Sequence, residues 1–183
     1  MSEKIILGID PGTVVLGYGL IRVKKQKVEY IHCDVIKMGS DEEHTVRLKT
    51  IFESITKVIE EYCPDELAIE APFFGKNVQS MLKLGRAQGV CMAAALNKGI
   101  PVAEYSPRKI KQSITGNGNA SKEQLAAMIQ RLLDLKKLPK YFDSTDALGV
   151  AVCHHFQNNT HSQVGKKHNG WKAFLVENPE RKG

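Results

Sequence analysis

At 183 residues and 20.3 kDa the chain has room for one domain with a buried core, and its 42% hydrophobic and 25% charged residues are ordinary for a globular protein. No apolar stretch approaches the roughly 20 residues a membrane helix needs, no signal-peptide pattern precedes the first strand, and the four scattered cysteines, none in a CxxC pair, read as free thiols of a reducing cytosol rather than disulfides or a zinc site. A net charge of +6 is compatible with a polyanionic partner.

Residues 4 to 10 read as a buried strand. Gly12, Gly17 and Gly19 then punctuate a turn into a second strand over 18–23, and a basic hairpin at 24–27 leads to a third over 28–36. Connections this short predict an antiparallel meander. From 43 to 62 the period becomes helical, with Leu48, Ile51, Phe52, Ile55, Val58, Ile59 and Tyr62 on one face. A strand at 66–70, reached through that helix, should be parallel. A long helix over 76–98, a fifth strand at 101–105 and a short helix at 107–114 follow. Ser121, with Gln124 three positions on, marks the start of a helix through Leu133. The last helix runs from about Asp143 to Gln157, ending the predicted domain at 157, and 158–183 lacks periodicity and reads as a flexible tail. The predicted class is α/β: a mixed five-stranded sheet, three strands antiparallel and two parallel, flanked by helices.

Acids stand where that pattern expects apolar side chains. Asp10 closes the run Ile5-Ile6-Leu7-Gly8-Ile9, between glycines that allow other groups near the backbone; Glu70 closes Leu67-Ala68-Ile69. Asp143 and Asp146 share one face in the first turn of the last helix. Singly, Asp10 could open a Pro-Gly turn and the two helical acids could offset the macrodipole. Together, four acids from three elements point to one shared site, whose mutual repulsion calls for a cation. An all-oxygen set favours a hard ion: Mg²⁺, with Mn²⁺ able to substitute. Two such ions roughly 3.5–4 Å apart would serve an in-line phosphoryl displacement.

The motifs GIDPGT, AIEAPFF, KLGRAQG and DSTDALGVA, in this order and spacing from Lys4 to Phe156, resemble those of the RuvC-type Holliday junction resolvases, within the RNase H-like superfamily. The resemblance implies that Asp10, Glu70, Asp143 and Asp146 are metal-binding catalytic acids. It further implies a homodimer that nicks two strands of a four-way DNA junction symmetrically, and cooperation with a branch-migration helicase complex. Some family members carry histidine at the position of Asp143; aspartate here keeps the site all-carboxylate. Phe73 matches the family's aromatic position, suited to stacking on an unpaired base. Arg108, Lys111 and Lys122 match its basic segment, where they would contact phosphates or stabilise developing charge.

Gly85, Gly89 and Ala93 form a small-residue stripe that suits close packing, with intramolecular packing the simpler expectation. His154 and His155 read as structural or exposed rather than as ligands, and the apolar patch around Trp171 could dock or be a remnant turn. The first motif also resembles the phosphate turn of actin-like ATPases, but the chain is too short for their duplicated domain and shows no second glycine-rich loop. A nuclease acting on RNA or an RNA/DNA hybrid would show the same acids; a binding module without catalysis would have no reason to keep four repelling charges.

Overall fold

The computed structural model describes residues 3–25, 27–72 and 77–163, with side chains as far as Asn158. Strands β1 (Lys4–Asp10), β2 (Val15–Lys24), β3 (Lys27–Lys37), β4 (Glu66–Glu70) and β5 (Val102–Tyr105) form one sheet in the order β3-β2-β1-β4-β5. The first three pair antiparallel; β4 joins β1, and β5 joins β4, in parallel. This is the predicted mixed sheet.

Side chains of a strand alternate between its two faces, and here each face is covered by different helices. Leu7 and Ile9, Leu16 and Leu20, and Leu67 and Ile69 point to one face, against α1 (His44–Tyr62) and α2 (Val78–Asn97). Ile6, Ile21 and Ala68 point to the other, against α3 (Pro107–Thr115), α4 (Lys122–Leu132) and α5 (Phe142–Gln163). By the same parity Lys4, Gly8 and Asp10 of β1, Gly17 and Gly19 of β2, and Glu66 and Glu70 of β4 belong to the α5 face. That face is paved with small residues where α5 crosses it. A β-carbon at Gly8 would lie 2.1 Å from the Ala147 carbonyl oxygen, and one at Gly17 would lie 2.0 Å from that of Asp143. The missing side chains let the helix lie almost directly on the strands.

Several boundaries differ from the sequence expectation, for identifiable reasons. Gly17 and Gly19 are not turn residues: β2 begins at Val15, and the glycines sit mid-strand because α5 leaves no room for a β-carbon. Phe52 is substantially exposed rather than on the core face of α1. The last helix continues to Gln163, beyond the boundary drawn at 157, because the polar run after Phe156 still permits helix. Ser121 does cap α4: its hydroxyl accepts from the Gln124 backbone N–H at 3.2 Å, and the Gln124 side chain accepts from the Ser121 backbone at 2.9 Å. The remainder of the expected tail, residues 164–183 with Trp171, lies outside the described residues. No described helix is long and apolar enough to cross a membrane.

Candidate active site

Asp10 and Glu70 are the last residues of β1 and β4, which are adjacent and parallel, with Ile9 beside Ile69 in the ladder. The shared parity turns both carboxylates toward α5. There the first two turns of α5 carry Asp143 and Asp146, seated by Gly17 against the Asp143 backbone. Asp146 is buried, with 8% of its surface exposed, and Asp10, Glu70 and Asp143 are half-buried. The sheet and the last helix thus bring together the four acids that the sequence singles out.

Their electrostatics reports the crowding. Burial, then the charges of Glu70 and Asp146, push the Asp10 carboxyl up to about 8, with Lys122 acting against them. Burial and the Asp146 charge push Glu70 up to about 7, opposed by Lys122 and Lys111. The Lys122 ammonium lies 2.7 Å from Asp146 Oδ2. That hydrogen bond and the surrounding acids hold the Lys122 ammonium above its usual range. Lys122 is the first residue of α4 and Lys111 lies on α3, so two helices of the same face deliver positive charge to the carboxylates. Arg108 lies instead against the loop at Gly118, where a β-carbon would meet its Cγ at 2.7 Å. Phe73 lies outside the described residues.

Among the described residues no three His, Cys, Asp or Glu side chains converge closely enough to hold an ion as they stand. The donor set nonetheless suits a hard divalent cation. It is all oxygen, it is partly withdrawn from water, and its repulsion already draws an ammonium onto Asp146. Asp10, Glu70, Asp143 and Asp146 are the residues that could hold such an ion.

The raised carboxyls have a consequence for stability. Asp10 and Glu70 retain protons in the folded chain that the unfolded chain has released, so the stability they contribute is present at acid pH and lost as pH rises toward about 7 and 8. With chelator present, the melting temperature is expected to fall by roughly 3–6 °C between pH 6 and 8.5. Asp10→Asn, or saturating Mg²⁺, should flatten that slope in a differential scanning experiment. A wild-type slope that Asp10→Asn leaves untouched would place the titrating group elsewhere.

The family model described as crossover junction endodeoxyribonuclease RuvC matches residues 6–154, a span that contains all four acids, Lys111 and Lys122. The chain belongs to the RuvC family. It is 56% identical over 180 residues to the crossover junction endodeoxyribonuclease RuvC of Christiangramia forsetii, covering 98% of this chain and 93% of that one. With the RuvC of Cytophaga hutchinsonii it shares 57% over 179 residues, covering 98% and 88%. Among solved structures, Thermus thermophilus RuvC in complex with Holliday junction substrate superposes with a TM-score of 0.81 at 33% identity, covering 87% of this chain and 97% of that one. The sheet is therefore of the RNase H-like class, and the protein is a nuclease of a metal-dependent family.

Two features of the site were not legible from RuvC-type motifs. One is that α5 is the element seated on Gly8 and Gly17, although close approach at Gly8 was already expected. The other is the Lys122–Asp146 ion pair, which joins residues 24 apart in sequence; the resemblance marked Lys122 but not its partner.

Proposed function

We propose that this chain resolves four-way DNA junctions as a homodimer, nicking two strands symmetrically in recombination and repair, with Asp10, Glu70, Asp143 and Asp146 as its Mg²⁺-binding catalytic acids. The observation that carries the reading is that carboxylates from β1, β4 and α5 lie within one another's and Lys122's electrostatic reach in a RuvC-family fold. Mg²⁺, two ions per site, would activate a water and steady the leaving oxygen.

The chain's own groups do the rest. The buried Asp146 and the strand-end Asp10 and Glu70 are fixed by backbone that cannot shift freely, so their geometry is set before substrate arrives. Lys122, whose ammonium lies 2.7 Å from Asp146 Oδ2 with its side chain 58% exposed, would offer positive charge to the scissile phosphate. Lys111, whose charge is felt at Glu70, adds positive potential on the same side. Arg108 and Phe73 are assigned to DNA contact farther from the cut, Arg108 on phosphate and Phe73 on an unpaired base. A cytoplasmic site of action fits the absence of disulfides among the described cysteines, and a branch-migration helicase complex is the partner that would deliver junctions.

The dimer is supported by α2. Val78, Leu82 and Leu96 are 65%, 57% and 59% exposed, and a β-carbon at Gly85 or Gly89 would meet no atom within 4 Å. Among the described residues the glycines therefore serve no packing within the chain, where the simpler expectation was intramolecular packing. Positions 78, 82, 85, 89 and 96 follow the alternating spacing of a helix seam, and so large an apolar stripe marks an interaction face. Leu82→Glu is expected to halve the mass in analytical ultracentrifugation and to convert paired cuts into single nicks. A Leu82→Glu protein that stays dimeric would move the interface off α2.

The assigned substrate is tested with labelled mobile four-way junction, linear duplex and RNA/DNA hybrid in parallel in Mg²⁺. Paired symmetric nicks confined to the junction are expected. Cutting of the hybrid or duplex with the junction ignored would keep the acidic site and overturn the substrate.

A further inference from the structure

Centred on Glu66 and His154, at the opposite end of β4 from Glu70, the same sheet face carries a second polar cluster. The Tyr105 hydroxyl stands 2.7 Å from His154 Nδ1, and His154 Nε2 stands 2.8 Å from Glu66 Oε2. Lys4 Nζ reaches Glu66 Oε1 at 2.6 Å, and Asn158 Nδ2 donates to Glu66 Oε2 at 3.2 Å. With Nε2 donating to Glu66, Nδ1 accepts the tyrosine proton, so one imidazole ties β5 to β4. His154 is 5% exposed, and directional bonds in so dry a setting resist displacement more than surface ones. Burial alone would raise the Glu66 carboxyl, but the bonds from Lys4 and His154 outweigh it and hold it below the usual range.

Membership of this cluster follows the acids. Lys4 opens β1, which ends in Asp10, and Glu66 opens β4, which ends in Glu70. His154 and Asn158 lie on α5, which begins with Asp143 and Asp146. Tyr105 stands beside Glu70 in the ladder, and its carbonyl accepts from the Ala71 N–H at 2.9 Å. Every element bearing a catalytic carboxylate is thus bound a second time, and His154 lies about 12 Å down the helix from Asp146. The need for such a tie is plain from the seat. The glycines of β1 and β2 let α5 approach closely, with Leu148 over Gly19 and Ala151 over Gly8, but these contacts are apolar and carry no directional bond along the helix axis.

We propose that the Tyr105–His154–Glu66–Lys4 network is a positioning device that sets the axial register of α5 against β1 and β4, and with it the spacing of the four carboxylates. Tyr105 and His154 are positioning residues, not catalytic ones, and the inference rests on the carboxylate site argued above.

The test compares Tyr105→Phe, which removes one hydroxyl, with His154→Leu and His154→Gln, whose amide keeps a donor for Glu66. Single-turnover cleavage of a four-way junction is measured across a Mg²⁺ titration, beside junction affinity in chelator and the Mg²⁺-induced shift in melting temperature. Tyr105→Phe and His154→Leu are expected to cut about 10-fold more slowly, because a register shift well under 1 Å at the carboxylates costs less than the roughly 100-fold of a full 1 Å misplacement. The Mg²⁺ needed for half-maximal rate and for half the thermal shift should rise roughly 5-fold. Junction affinity should stay unchanged, and His154→Gln should recover part of the loss. Lower melting temperature with wild-type rate and Mg²⁺ dependence would overturn the proposal, as would a parallel loss of junction affinity. Asp146→Asn runs alongside: if it still cuts, the carboxylate site itself is wrong; if it is dead while Tyr105→Phe behaves as wild type, the network alone fails.

Discussion

Asp146→Asn is expected to lower strand cleavage by about 10³-fold, more than the 10–100-fold typical of residues behind a metal's ligands, while junction binding in chelator stays within about threefold. The change removes one buried negative charge and keeps the shape of the side chain. Repulsion within the cluster falls, and Lys122 loses the carboxylate that holds it at 2.7 Å. A polyanionic substrate therefore meets a site no more negative than before, and affinity has no reason to drop. On the proposed assignment the reaction loses one of the oxygens that would hold the cation. Gel-shift and cleavage assays on the same junction separate the two effects, and a variant that loses both in equal measure would show that Asp146 supports the fold or the DNA surface instead.

Gly17→Ala carries the second large effect, by a different route. Its β-carbon would fall 2.0 Å from the Asp143 carbonyl oxygen and 3.0 Å from the Ser144 nitrogen, both backbone atoms of the helix that bears two of the acids. No flexible side chain is available to give way, so α5 must lift at its start. Overpacking of this kind costs about 1–3 kcal/mol, and the melting temperature should fall by roughly 3–10 °C. Cleavage should drop about 100-fold at a temperature where the protein is still folded, because a displacement near 1 Å at the reacting groups has that scale of cost. Near-normal cleavage by a folded Gly17→Ala protein would mean that the acids tolerate a shifted helix.

Local signals served well wherever a local cause operates. Apolar runs closed by Asp10 and Glu70 located two strand ends, and Ser121 with Gln124 located the start of α4, because strand burial and capping are written within a few residues. Gly17 and Gly19 misled for the opposite reason. A glycine pair usually signals a turn, but here its cause is a helix that arrives more than a hundred residues later in the chain. The same separation hid the Tyr105–His154–Glu66 network, whose members lie on β5, α5 and β4 and carry no common motif. Gly85 and Gly89 posed a third kind of problem: small residues on a helix announce close approach, while the partner surface is absent from the chain's own interior. For the site, position along the sequence revealed the acids; the lysine that neutralises them needed the family resemblance and then the fold.

The order in which these pieces leave the ribosome has its own significance. Asp10 and Glu70 are made early, and Asp143 and Asp146 arrive with the final described helix, which packs with α3 and α4 on the face of the sheet on which the first two sit. A nascent or truncated chain ending before Phe142 would hold only half the carboxylates, and one face of its sheet would lack the helix that crosses it. On the proposed assignment of the four acids such a chain would lack half of its metal-holding groups, so cleavage would become possible only once the final described helix has been made and has folded onto the sheet.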